Sequence, residues 1–187
     1  MKRQMKKGLA IVLALVMVFA MTATAFASTN TGTATIDVVI VDPKTGNWET
    51  VDTATVESGQ SLMAAIESKF DYYEPVFEDT VDQYIFQTTG QTVMTKQITS
   101  FVGYEPVNVD YFYNPDPTAY SWSKDWGWIF TVNGNMPTDP QDSEHYLSME
   151  QYTLQAGTTV KVVYAYYQTN WIERTGHTEF TLLNPTA

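Results

Sequence analysis

The chain has 187 residues, 21 acidic against 10 basic, a net charge of −11 and no cysteine. Without cysteine there is no disulfide framework, no thiol nucleophile and no lipid-modified cysteine. The acidic balance repels phosphate backbones and anionic lipid headgroups, so nucleic acid and peripheral attachment to such membranes are not expected.

Met1–Ala27 carries the three parts of a secretory signal: Lys2, Arg3, Lys6 and Lys7, an apolar run from Leu9 to Met21, and the small-residue site Ala25-Phe26-Ala27. A spanning helix needs about 20 apolar residues, and this run breaks first at Thr22-Ala23-Thr24. Residues 1–27 therefore read as a cleaved signal peptide, residues 28–187 as a single domain with no integral membrane segment, and the protein as secreted or held at the cell surface. Removing the leader takes 27 residues, four basic and none acidic, and leaves 160 residues with a net charge of −15. That length buries a full core. The acidity reads as solubility outside the cell.

Thr35–Val41 is β-branched and stops at the turn cluster Asp42–Asn47, after which Trp48–Val56 returns as the second strand of a hairpin. Ser61 caps a helix whose Leu62, Ala65, Ile66 and Phe70 share one face, the one convincing helix of the mature chain. Residues 71–90 show a weak pattern and read as an ordered insertion. Lys96–Val102 and Trp128–Val132 read as strands, the latter ending at the turn dipeptide Asn133-Gly134, and Thr159–Tyr167 is the longest β run. Glu179–Leu183 adds an edge strand, and no LPxTG-like sorting signal is present. Hairpin, helix, then strands predicts an α+β class: a β-rich, β-grasp-like mixed sheet with one main helix packed on one face.

Several of these segments together resemble the bacterial extracellular family DUF4430, related to the C-terminal β-domain of transcobalamin and intrinsic factor. Gly127-Trp128-Ile129-Phe130-Thr131-Val132-Asn133-Gly134 is similar to the family's Gly-Trp, aromatic, Val-Asn-Gly signature. Tyr152–Val160 resembles its Tyr-x-Leu, x-x-Gly-Asp-x-Val closing element, with Thr158 in place of the common Asp. Val56–Ile66 resembles its helix entry, and Lys96–Gly103 sits where a Tyr-Val-x-Ser-Ile-x-Gly element is usual. The resemblance spans roughly Thr35 to Tyr167. It implies a β-grasp-like domain used for binding rather than chemistry, with a corrinoid such as cobalamin as ligand. In the vitamin carriers that ligand lies between this domain and a helical barrel, so a lone domain supplies one wall.

From Tyr104 to Trp128 the sequence has eight aromatics in 25 residues, interspersed with Pro106, Pro115, Pro117 and polar turn formers, so much of it is expected to be loop. Tyr and Trp present flat apolar faces with a polar tip, suited to a macrocycle, a sugar ring or a partner's side chain, or equally to a satellite core. Of the alternating pair Trp128 and Phe130, alternation favours Phe130 as the core residue. Asp139, Asp142 and Glu144 put three carboxylates on a turn-like stretch but lack the spacing and glycine of an EF-hand, so the loop reads as solvated acid rather than a calcium site. His145 and His177 lie 32 positions apart without a zinc pattern, and no Gly-x-Ser-x-Gly elbow or phosphate loop occurs. A carboxylate-pair glycosidase is not excluded by residue type, but the acidic surface already explains the carboxylates.

The reading is a non-catalytic binding module with no required cofactor, whose ligand site is Tyr111, Tyr113, Tyr120, Trp122, Trp126, Trp128 and Asn133. A corrinoid is the first ligand to test. A carbohydrate and a surface protein partner are the alternatives.

Overall fold

A computed structural model describes residues 32–183. The signal peptide expected over residues 1–27 lies outside the described residues. None of the described helices is long and apolar enough to cross a membrane.

Strand β1 (Thr33–Val41) and β2 (Trp48–Glu57) form the expected antiparallel hairpin. Its turn is built by Asp42, whose carboxylate accepts the backbone N–H groups of Lys44 (2.6 Å) and Thr45 (3.1 Å), with Gly46 at φ 72°. Helix α1 (Leu62–Lys69) starts where Ser61 Oγ accepts the Ala64 N–H. Its Leu62, Met63, Ala65 and Ile66 are buried together with Phe70, which follows at the C-cap. The chain continues through β3 (Val76–Val81), α2 (Gln83–Thr89), β4 (Met94–Ser100), β5 (Val107–Phe112), β6 (Tyr120–Val132), β7 (Thr138–Asp139), β8 (Asp142–Tyr146), β9 (Thr159–Ile172) and β10 (Thr178–Leu182).

The main sheet is mixed, in the order β2-β1-β9-β6-β5. β9 runs parallel to β1 over Thr159–Tyr164 and antiparallel to β6 along its full length, while β10 takes over beside the second half of β9. Two apolar layers hold this sheet. On the α1 side Ile36, Val38, Val160, Val162 and Phe130 meet Leu62, Ile66, Phe70, Phe101 and Leu154. Val39, Val41, Ile129, Val163 and Ala165 form a second cluster. The central β9 therefore reads as an uninterrupted apolar run from Val162 to Ala165, as a strand covered on both faces must. Each fully buried Leu, Ile or Phe contributes about 1.5–3 kcal/mol of transfer free energy, which places most of the stability under α1.

Two expectations are corrected. Helix α1 is not the one helix: within the ordered insertion of residues 71–90 a single 3₁₀ turn, β3 and a second helix, α2, occupy most of the length. Asp82 caps α2 by accepting the Ile85 N–H, and Gly90 ends it at φ 71°. Helix α2 has no buried residue, so the apolar periodicity that reveals α1 is missing. The aromatic segment is largely strand: β5 and β6 take all but residues 104–106 and the loop between Phe112 and Tyr120, so its prolines punctuate strands instead of dissolving them. The edge strand expected near the end of the chain is present as β10.

Candidate functional site

At 13 residues β6 is long enough to leave the core under α1 and run on as an open sheet end, paired with β9 on one side and β5 on the other. Directly opposed residues of antiparallel strands share a face. The register therefore lines up Phe112, Trp122 and Asn170 across one row, Asp110, Lys124 and Gln168 across the next, and Val107, Trp126 and Tyr166 across a third. Trp128 and Tyr164 make a fourth row on the same face.

The rings along this face touch one another. Phe112 and Trp122 stack at 6.3 Å, and the Lys124 ammonium lies 5.0 Å from the Trp122 ring centre. Trp126 stacks on Tyr166 at 5.3 Å and on Tyr164 at 5.7 Å. Trp122 and Trp126 remain half-buried, with flat faces set by strand pairing and about 13 Å apart along β6 at about 3.3 Å per residue. Gln168, Asn170, Lys124 and Asp110 place hydrogen-bonding groups between and beside them.

The expected site residues do not all gather here. Tyr111 is 69% exposed, but it pairs with Ser123 and so sits on the opposite face from Phe112 and Trp122. Tyr113 and Tyr120 flank the loop between β5 and β6; their hydroxyls donate to Glu173 (2.5 Å) and Glu179 (3.1 Å). The Glu173 carboxylate raises the Tyr113 pKa, and for Tyr120 desolvation is the first cause, followed by Glu179. Trp128 is a structural anchor: its indole N–H donates to the Tyr104 carbonyl at 3.2 Å and its ring packs on Phe101 at 5.0 Å. Phe130, two residues on and therefore on the same face, is the more deeply buried of the pair because it lies further under α1. Asn133 lies at the far end of β6, in a turn closed by Val132 and Asn135, with φ 54°. It is seven residues from Trp126, about 23 Å along an extended strand, and does not join the aromatic face.

A second feature is a cavity of about 830 Å³ bordered by β6, β9 and β10 and by the β3–α2–β4 and β7–β8 segments. Trp128, Tyr167, Trp171 and Phe180 supply apolar walls. Tyr167 is closely held: a Cβ placed on Gly127 would come within 3.0 Å of its hydroxyl. Burial, with Asp125 adding to it, pushes the Tyr167 pKa up to about 12. The polar wall centres on buried Asp82 and His145. Asp82 accepts from Gln151 Nε2 at 2.8 Å and pairs with His145 Nε2 at 3.2 Å, while the His145 ring stacks on Tyr84 at 4.7 Å. The other ring nitrogen, Nδ1, faces Asp139 Oδ2 at 3.9 Å, so carboxylates meet the imidazole on both sides. This network ties α2 to β8 and to the Ser148–Gln151 turn. Nothing in the sequence signals a pairing across 63 positions.

The carboxylates of the Asp139–Glu144 stretch are engaged by groups of the protein, near and distant in sequence. Asp139 accepts the Gln141 N–H, Asp142 accepts the Glu144 N–H and the Tyr84 hydroxyl, and Glu144 pairs with His177 at 3.5 Å. The Tyr84 bond lowers the Asp142 pKa and pushes that of Tyr84 up to about 12. Among the described residues no group of three or more His, Asp or Glu is placed to hold a metal ion.

Sequence reasoning missed Phe112 and Tyr166 on this face, and Tyr164, which lies buried beneath Trp126 and Trp128. Their signal was present: Val160, Val162, Tyr164 and Tyr166 alternate along β9 opposite Val132, Phe130, Trp128 and Trp126. The chain matches no model of a known family, and no curated protein matches it.

Proposed function

We propose that this is an exported, non-catalytic binding module of β-grasp-like fold, and that it takes a flat ligand on the open face formed by Phe112, Trp122, Trp126 and Tyr166. The observation that carries this reading is the face itself: two ring pairs, Phe112–Trp122 across β5 and β6 and Trp126–Tyr166 across β6 and β9, oriented by sheet register and left half-open to solvent. The β1–β2 hairpin, the α1 crossover and the parallel β1–β9 pair support the β-grasp-like arrangement, and the motifs similar to DUF4430 agree with it. A glycan suits this face best. Rings set apart along one strand stack on successive sugars, and Lys124, Gln168, Asn170 and Asp110 supply donors and acceptors for hydroxyls.

The corrinoid implied by the DUF4430 resemblance is the second reading. It is favoured by the openness of the face, which covers one side of a macrocycle and leaves the other to a second protein. Calorimetric titration of the purified protein with cellohexaose, xylohexaose and chitohexaose, and then with cobalamin and cobinamide, separates the two. Saturable glycan binding lost in Trp122→Ala or Trp126→Ala supports the first. Corrinoid binding with the same sensitivity supports the second, and binding to either class that survives both substitutions refutes the placement.

A further inference from the structure

We infer that the outer edge of β5 docks an extended, cationic peptide strand of another protein and so lengthens the sheet by one strand. This does not depend on what the aromatic face binds. β5 ends the order β2-β1-β9-β6-β5, and among the described residues no strand pairs with its outer side. All six of its residues are exposed. Of the eleven large apolar side chains exposed among the described residues, six lie between Val107 and Tyr120, including Val107 and Val109 at 52% and Tyr111 at 69%.

An edge strand is a template for strand addition, and proteins that avoid it blunt the edge with Lys, Pro, a bulge or a covering element. β5 has no Lys or Pro within Val107–Phe112 and no cover. Its one bulge, between Asn108 and Asp110, leaves Val109 outside the β6 register. The apolar content is therefore retained at the position where a neighbouring strand gains most: main-chain bonds give affinity and alternate side chains give selectivity.

Charge identifies the occupant. Around β5 stand Glu105, Asp110, Asp116 and Asp125, and the only cation between Glu105 and Asp125, Lys124, rests on Trp122. Glu173 and Glu179 extend the acidic border beyond Tyr113 and Tyr120. A strand alternating Lys or Arg with β-branched residues complements this edge. A second copy does not, because it sets a second acidic edge, with its own Glu105, Asp110, Asp116 and Asp125, beside the first.

The test is hydrogen-exchange mass spectrometry of the purified protein with a short peptide of alternating Lys and Val. The expected result is at least tenfold slower exchange of amides in residues 107–112, with no change in residues 48–57. Methylating alternate peptide nitrogens is expected to weaken binding at least tenfold. Val109→Pro, placed at the bulge where proline is tolerated, and Val109→Lys, which adds like charge and removes no backbone donor, are each expected to weaken it severalfold. The inference is overturned if the methylated peptide or a Glu-Val analogue binds as well, if protection appears equally in residues 48–57, or if sedimentation shows a β5-dependent dimer of this chain.

Discussion

The two edges of the main sheet belong to one structure and are finished in opposite ways. Along β2 the exposed side chains are Glu49, Thr50, Val51, Thr53, Thr55 and Glu57, while Val56 is buried against the α1 layer. Along β5 they are Val107, Asn108, Val109, Asp110, Tyr111 and Phe112, and none is buried. On β2 Val56, Ala54 and Trp48 pack on the core, and apart from Val51 the exposed side chains of that edge are polar. On β5 Phe112 stacks on Trp122 but no apolar side chain is buried, and an exposed apolar patch bordered by acid marks an interaction surface. The β1–β2–α1 end is thus scaffold, and the β5–β6 end is where binding is expected.

Substitutions at the two ends test that division. Phe70→Ala, at a fully buried ring under α1, is expected to cost about 3–5 kcal/mol in urea unfolding, whereas Tyr111→Ala on β5 is expected to stay within about 0.5 kcal/mol. Equal losses would erase the distinction. Asp82→Ala removes the α2 cap and the shared partner of His145 and Gln151. A loss of about 2–3 kcal/mol is expected, with faster hydrogen exchange in residues 83–96 and 138–151 before the rest of the chain. Trp126→Ala gives up two stacked pairs of about 0.5–1.5 kcal/mol each. A loss of about 1–3 kcal/mol is therefore expected, together with loss of ligand binding.

The smallest effect is on pH dependence. Burial first, and Asp125 second, hold the Tyr167 pKa at about 12 against an ordinary 10.0. A raised pKa in the folded state means that the unfolded chain releases this proton first as pH rises. The contribution of Tyr167 is therefore complete below pH 10 and fades as pH climbs toward 12. Melting temperatures across that window should fall less steeply in Tyr167→Phe than in the parent; identical slopes would show that the phenol does not titrate differently in the two states.

Particular elements show what was legible in the sequence. The β1–β2 hairpin and α1 announce themselves because one side of each is buried, so sterics and the hydrophobic effect write a period into them. Val162–Ala165 is legible as a strand for the complementary reason that both its faces are covered. Helix α2 was hidden because none of its residues is fully buried; its trace was a start signal, Asp82, before it and a stop signal, Gly90, after it. β5 was hidden by Pro106 and Pro115 at its flanks and by a bulge that shifts its alternation at Val109. The aromatic richness of the site was readable from composition. Its division was not, since register alone sends Tyr111 to one face and Trp122 to the other, and puts Asn133 at the far end of β6.

The most direct test of the binding surface is a two-dimensional NMR titration that follows the indole N–H signals of the five tryptophans, assigned by single substitution, as the glycans and corrinoids are added. The expected result is saturable movement of the Trp122 and Trp126 signals, with Trp48 in the hairpin and Trp128, bonded to the Tyr104 carbonyl, unmoved. Movement of Trp128 and Trp171 with Trp122 and Trp126 unchanged would place the ligand in the cavity beside β6 and contradict the assignment of the open face.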